Sequence, residues 1–122
     1  MKISLITLLL LLYSTFAYAD GNELLSDCKV AVNAINGRIP ETIESTFKAA
    51  LCSGKIQGIT DMNAAYADVL SKKQIYFCIP QNVTNGQKVR IVTKFLEENP
   101  SLLHQQDIVL VILALEDAYP CI

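Results

Sequence analysis

The sequence predicts an all-α fold, a small disulfide-stapled bundle of about four helices. Apolar residues recur at three- and four-residue spacing through most of the chain, as on one face of a helix. Capping and stop signals bracket these segments. No stretch alternates apolar and polar residues between turn glycines, as half-buried strands do. We expect helices near residues 22–36, 42–70, 85–98 and 105–119.

The first predicted helix has a single apolar stripe and ends at Asn36-Gly37. The second should begin near Pro40-Glu41, because proline and acidic residues suit a first helical turn. Two glycines, Gly54 and Gly58, lie inside it. We expect them to permit a close crossing with another helix, and the alternative is that they break the element in two. The apolar face predicted for this helix consists of Phe47, Leu51, Ile59, Met62, Tyr66, Val69 and Leu70.

The third predicted helix begins at a capping box, Thr84-x-x-Gln87, and ends at Asn99-Pro100. Its inward residues are predicted to be Val89, Val92, Phe95 and Leu96.

The fourth predicted helix begins near Gln105–Asp107 and ends before Pro120. Its segment from Ile108 to Leu115 is apolar on every side. Such a helix is either buried all round or shared with a partner subunit. Since a chain of this size offers few neighbouring helices, we expect a homodimer with a twofold axis.

The first 19 residues are predicted to be an export signal. Lys2 precedes an apolar run from Ile3 to Leu12, and Ala17-Tyr18-Ala19 has the small-x-small pattern of a signal-peptidase site. The apolar run is short for a membrane anchor. We therefore expect cleavage before Asp20 and a single mature domain over residues 20–122. A domain of 103 residues is too short for a barrel of eight strand–helix units, or for a dinucleotide-binding domain with a separate substrate domain.

The predicted mature chain is weakly acidic. Without Lys2 it has nine basic and twelve acidic residues and no long basic run. It is therefore a poor candidate for binding nucleic acid or, once the signal is removed, an anionic membrane surface.

The exported part contains four cysteines: Cys28, Cys52, Cys78 and Cys121. An even count in a small exported domain predicts two disulfides, for which three pairings are possible. Antiparallel packing of the first two helices favours Cys28–Cys52, which leaves Cys78–Cys121 to clamp the loop after helix two to the chain end. A metal site or a thiol nucleophile is the alternative, but no C-x-x-C pair is present.

The residues offer little for catalysis. His104 is the only histidine, and we expect it to cap or pack at the start of helix four. The acidic pairs Glu97-Glu98 and Glu116-Asp117 are adjacent in sequence, so their side chains diverge on a helix and do not form a general acid–base pair. We predict a protein that is not an enzyme and has no catalytic residue, metal or cofactor.

An ordered series of motifs spans the C-terminal half. It comprises Phe77-Cys78-Ile79-Pro80, Val83-Thr84-x-x-Gln87, Phe95-Leu96-Glu97-x-Asn99-Pro100, Leu103-His104 and Ala114-Leu115-x-x-Ala118-Tyr119-Pro120-Cys121. Upstream are Leu25-x-x-Cys28 and Cys52-x-Gly54-x-Ile56-x-Gly58-Ile59-x-Asp61. Together these motifs resemble the Rap/Tai immunity-protein family over nearly the whole mature chain. The sequence departs from the family at Lys55, where an aromatic residue is common, and at Tyr119, where phenylalanine is usual.

The resemblance implies an all-helical, often dimeric bacterial protein of the periplasm. It also implies a function, the neutralisation of a peptidoglycan amidase delivered by a type VI secretion system. Such amidases cut peptide stems in a cysteine–histidine cleft, which immunity proteins of this kind obstruct. The alternative function is a periplasmic helical binding module or stress chaperone without a toxin partner.

An inhibitor of an enzyme cleft needs a protruding segment that is held rigidly. The loop from Ser71 to Phe77 is our candidate, with Lys72, Lys73 and Gln74 for polar contacts and Tyr76 as an aromatic anchor. The loop from Asn99 to His104 is the rival site. In the structural alternative, the two lysines favour the C-terminal end of helix two and Tyr76 packs on the core.

Overall fold

The computed structural model describes residues 19–69 and 75–122. Over these residues the fold is all-α, as predicted, and the only strand-like pairing is an isolated bridge between Asp20 and Gln106. Most of the predicted signal peptide, residues 1–18, lies outside the described residues. The helices are α1 (Gly21–Ile35), α2 (Ile43–Val69), α3 (Asn85–Glu98) and α4 (Asp107–Ala118), and a short 3-10 helix (Pro100–Leu102) precedes α4.

Local capping explains where α1 and α3 begin. Asp20 accepts hydrogen bonds from the amides of Glu23 and Asn22, both at 3.0 Å, and these bonds lower the pKa of its carboxyl. The predicted capping box of α3 is confirmed. The Gln87 amide donates to Thr84 Oγ1 at 3.2 Å, and the Thr84 amide donates to Gln87 Oε1 at 2.7 Å.

The hydrophobic core lies where the four helices meet. Phe77, which precedes α3 in the chain, is the largest fully buried side chain among the residues that the structure describes. Of the inward residues predicted for α3, Phe95 is half-buried and the other three are buried. The core residues are Leu24, Cys28, Ala31, Cys52, Ile56, Phe77, Val89, Val92, Leu96, Leu110, Val111, Ala114 and Leu115.

Both predicted disulfides are confirmed. Cys28–Cys52 joins α1 to α2 inside the core, with 5.1 Å between the Cα atoms. Cys78–Cys121 ties the segment before α3 to the end of the chain. The packing of α1 against α2, on which the prediction of the first bridge depended, is therefore confirmed.

The apolar face predicted for α2 is wrong. The buried residues of this helix are Cys52, Ile56 and Thr60. Periodicity detects an apolar stripe but not what covers it, and the disulfide at Cys52 turns a different side of the helix toward α1. Of the predicted face, Ile59 is half-buried and Leu70 lies outside the described residues. The exposed members are Phe47, Leu51, Met62, Tyr66 and Val69.

The two glycines of α2 neither break the helix nor meet another helix of this chain. The helix is continuous from Ile43 to Val69. A Cβ atom built at Gly54 or Gly58 has no heavy atom within 4 Å outside the local helix backbone. Both expectations for these glycines are therefore wrong within the chain.

The apolar helix α4 is only partly covered by its own chain. Leu110, Val111, Ala114 and Leu115 are buried, whereas Ile108 and Val109 are exposed. No helix in the described parts of the chain combines the length and hydrophobicity that a membrane span requires.

Candidate partner-binding surface

Tyr76 is the one predicted partner-binding residue that the structure describes. Lys72, Lys73 and Gln74 fall in residues 70–74, outside the described part. The side chain of Tyr76 is 63% exposed, so the alternative that it packs on the core is wrong.

The backbone on either side of Tyr76 is firmly held. The Tyr76 amide donates to Asn63 Oδ1 at 3.1 Å, and Asn63 Nδ2 donates to the carbonyl oxygen of Phe77 at 2.8 Å. One side chain of α2 therefore binds the backbone of two consecutive residues, Tyr76 and Phe77. Phe77 is inserted in the core, and the next amide, that of Cys78, donates to the Tyr119 carbonyl at 2.9 Å.

This anchoring makes Tyr76 an exposed aromatic side chain on a preorganised backbone. The disulfide to Cys121 adds a covalent tether two residues after Tyr76. Because little backbone freedom remains to be lost, a partner that buries this ring incurs a small ordering cost. Tyrosine is one of the residue types enriched among interface hot spots.

Beside Tyr76 lies an apolar groove of about 390 Å³. Its walls include Ile59, Met62 and Tyr66 of α2, Tyr76, and Ile108 and Ile112 of α4. Sequence reasoning missed this groove because it assigned the α2 residues to the core. The excess of apolar residues in α4 was a signal for it, since one chain could not cover them all.

The rival loop, Asn99 to His104, is packed against the start of α1. The carbonyl oxygen of Leu103 accepts a hydrogen bond from Asn22 Nδ2 at 3.2 Å. A Cβ atom at Gly21 would lie 2.9 Å from Leu103 Cα, so the two backbones are in close contact. His104 itself is exposed, and Gln106 is the N-cap of α4. The expectation that His104 caps or packs there is therefore wrong.

An ion pair links α2 to the first turn of α4. Lys55 Nζ contacts Asp107 Oδ2, and the Asp107 side chain is only 8% exposed. Lys55, at which the sequence departs from the common aromatic residue of the family it resembles, thus has a structural role here.

The Asp27 carboxyl of α1 lies near this ion pair. Burial and the charge of Glu23 raise the pKa of Asp27, and the charges of Lys48 and Lys55 oppose that rise.

A buried cation, Lys88, lies between α2 and α3. Lys88 Nζ donates to Gln57 Oε1 and Thr60 Oγ1, both at 3.0 Å. Burial lowers the pKa of Lys88, and the negative charge of Asp61 partly offsets this effect. The two direct partners are neutral oxygens, which satisfy hydrogen bonds without neutralising the charge.

The described residues include no group of three or more His, Cys, Asp and Glu side chains that could hold a metal ion. All four cysteines are in disulfides, so none is available as a thiolate. The arrangement beside Tyr76 therefore offers contact surface: an anchored aromatic ring and an apolar groove.

Comparison with known protein families gives a match that includes every residue of the groove and Tyr76. The family model of the Rap1a immunity proteins matches residues 20–121. The chain belongs to the Rap1a immunity protein family. Membership of the Rap1a family indicates an immunity protein against a secreted effector, with that effector as its cognate partner. No match to an individually curated protein was found.

Proposed function

We propose that this protein is a periplasmic immunity protein against a peptidoglycan amidase delivered by a type VI secretion system. It binds the amidase and obstructs the active-site cleft. The Rap1a family match supports the immunity function. Two disulfides in a small domain are typical of an oxidising compartment such as the periplasm, and the predicted export signal over residues 1–19 agrees with that location.

The proposed inhibitory surface is the segment from Ser71 to Phe77. The observation that carries it is the exposed ring of Tyr76 on a backbone anchored by Asn63. Tyr76 enters the cleft as the aromatic anchor. Lys72, Lys73 and Gln74 supply polar contacts around it.

Inhibition by obstruction needs no chemistry from the inhibitor. The proposed protein is accordingly a binding protein and not an enzyme, and it uses no cofactor. It acts as a homodimer, a proposal supported by Ile108, an apolar residue of α4 that its own chain leaves exposed.

The test is inhibition of the amidase encoded beside this gene, with purified peptidoglycan as substrate. We expect the wild-type protein to abolish cleavage at equimolar concentration. Tyr76→Ala should weaken binding about 30-fold, the loss typical of a hot-spot residue, and the triple alanine variant with Lys72 and Lys73 should weaken it further. Because the Tyr76 ring is largely exposed, the melting temperature should change little.

Two variants serve as controls. Tyr76→Phe keeps the ring and should bind nearly as well as wild type. Ile39→Ala removes an exposed apolar side chain in the connection before α2, the end of that helix remote from Asn63, and should leave inhibition unchanged. Full inhibition by Tyr76→Ala would show that the inhibitory surface lies elsewhere on the protein. Failure of the wild-type protein to bind or inhibit any adjacent amidase would contradict the proposed function itself.

The apolar groove favours a second candidate function, a periplasmic binding module or chaperone that holds apolar client segments. The two functions differ in selectivity. A chaperone should suppress aggregation of several unrelated unfolded proteins at near-stoichiometric ratios, whereas an immunity protein should protect only against its cognate amidase.

A further inference from the structure

The outward side of α2 has a continuous apolar stripe with two glycines at its centre. We define the α2 stripe as Ile43, Phe47, Leu51, Gly54, Gly58, Met62, Tyr66 and Val69. Its six large side chains are between 39% and 91% exposed, and the glycines face open space. Monomeric soluble proteins rarely expose so extended an apolar surface.

The order of residues in the α2 stripe is nearly the same when it is read in reverse. Gly54 and Gly58 lie two residues before and after Ile56, and Ile43 and Val69 lie thirteen residues before and after it. Between these pairs, the aromatic Phe47 corresponds to Tyr66, and Leu51 corresponds to Met62, each within one residue of the same symmetry. An antiparallel copy of this helix therefore presents matching residue types along its whole length.

We propose that the α2 stripe is the interface of the homodimer, with α2 of a second copy packed antiparallel about a twofold axis that passes midway between Gly54 and Gly58. A twofold interface places the same patch of both subunits in contact, so that patch must be complementary to itself. The reversed order of the α2 stripe meets this requirement, which an unrelated partner would not impose. The inference rests on the homodimer of the proposed function but not on amidase inhibition.

The glycines lie at the crossing point. In this arrangement Gly54 faces Gly58 of the second copy on both sides of the axis. Glycine is costly in a helix interior, and the chain itself does not need it here because a Cβ atom would meet nothing. Close approach of a second helix is the use that remains for it.

Near each end of the interface, the Phe47 side chain of one copy meets the apolar groove of the other. The same symmetry brings Phe47 of one copy opposite Tyr66 of the other, at the mouth of the groove between α2 and α4. Phe47 is 61% exposed in one chain, and the groove of about 390 Å³ can receive its ring. Ile108, left exposed by its own chain, would be covered at the same time. At the flank, Lys48 pairs with Glu44 at 3.1 Å, so the local charge is balanced.

The experiment measures the dimer dissociation constant of the purified protein by sedimentation equilibrium. Wild type should be dimeric at micromolar concentration. Gly54→Leu/Gly58→Leu should raise the dissociation constant at least 100-fold, since leucine fits the open space of one chain but blocks the helix crossing. Helix content by circular dichroism should be unchanged or higher, because leucine favours the helix. A second variant, Phe47→Glu, should raise the constant at least 10-fold by placing a charge in the groove.

Val109→Glu is the matched control, because it adds a charge to an exposed apolar residue of α4 that lies outside the groove lining. It should leave the dimer intact. The inference is overturned by a wild-type protein that is monomeric at high concentration, or by a dimer that Val109→Glu dissociates and the glycine variants do not. Amidase inhibition is assayed separately. A monomeric wild-type protein that still inhibits would overturn this interface and the homodimer but leave the proposed amidase inhibition in place. A dimer that inhibits nothing would overturn the proposed inhibition but leave this interface in place.

Discussion

Lys88 shows at the scale of one residue what burial does to a charge. Its ammonium lies between α2 and α3 and donates to two neutral oxygens, those of Gln57 and Thr60. Loss of hydration disfavours the charged form, which lowers the pKa of Lys88 below its usual value of 10.5. From the sequence, position 88 was simply one residue of α3. Its burial depends on Thr60, 28 residues earlier in the chain.

We predict that this lysine makes the protein more stable as the pH rises toward 10. Between the lowered pKa of the folded state and the normal pKa of the unfolded state, the unfolded chain binds more protons, so the free energy of unfolding increases with pH. Lys88→Met should abolish this increase. The measurement is urea unfolding of both proteins at pH 7 and pH 10.

Lys94→Met is the control, because it removes one positive charge from an exposed side chain of the same helix. It corrects for the change in net charge. An equal pH response of wild type and Lys88→Met would contradict a lowered pKa for Lys88.

At the scale of one element, α3 was predicted more accurately than α2. The start of α3 depends on a local pair, Thr84 and Gln87, whose reciprocal hydrogen bonds need only three residues of separation. The orientation of α2 depends on partners elsewhere in the chain. The apolar stripe of α2 and the side of α2 that faces the core are different sides of the helix. The Cys28–Cys52 bridge joins the core-facing side to α1.

Removal of the α3 cap should have a modest and specific cost. Thr84→Ala deletes the oxygen that accepts from the Gln87 amide, so we expect the free energy of unfolding to fall by about 1 kcal/mol. Thr84→Ser keeps the oxygen and should stay close to wild type. Thermal or urea unfolding measures both, and equal loss in the two variants would show that the methyl group of Thr84, rather than the cap, stabilises this turn.

At the scale of the whole molecule, the two disulfides have different consequences for function. Cys28–Cys52 joins two helices within the core, whereas Cys78–Cys121 holds the segment that presents Tyr76. The sequence separations are 24 and 43 residues. On the chain-entropy model, loops of these lengths stabilise by about 3 and about 4 kcal/mol.

We predict that deleting either disulfide lowers stability, but that only deletion of Cys78–Cys121 also weakens amidase binding. Cys28→Ala/Cys52→Ala should lower the free energy of unfolding by about 3 kcal/mol but leave amidase affinity unchanged for the folded fraction. Cys78→Ala/Cys121→Ala should lower both, because the backbone at Tyr76 loses its covalent tether. Calorimetric titration at a temperature where both variants are folded measures the affinity, and equal affinities would mean that Asn63 alone is enough to position Tyr76.

The sequence by itself determined the number and class of the helices, the capping of α3, the pairing of the cysteines and the family that the chain resembles. The helices, the cap and the resemblance depend on residues close together in the chain or on an ordered set of motifs, whereas the predicted packing of the first two helices favoured one of the three possible cysteine pairings. Only the tertiary structure decided which side of α2 is buried, that Gly54 and Gly58 face open space, and that Asn63 holds Tyr76 at the rim of an apolar groove. A period of 3.6 residues shows that a helix has an apolar side, but what covers that side depends on contacts between residues far apart in the chain.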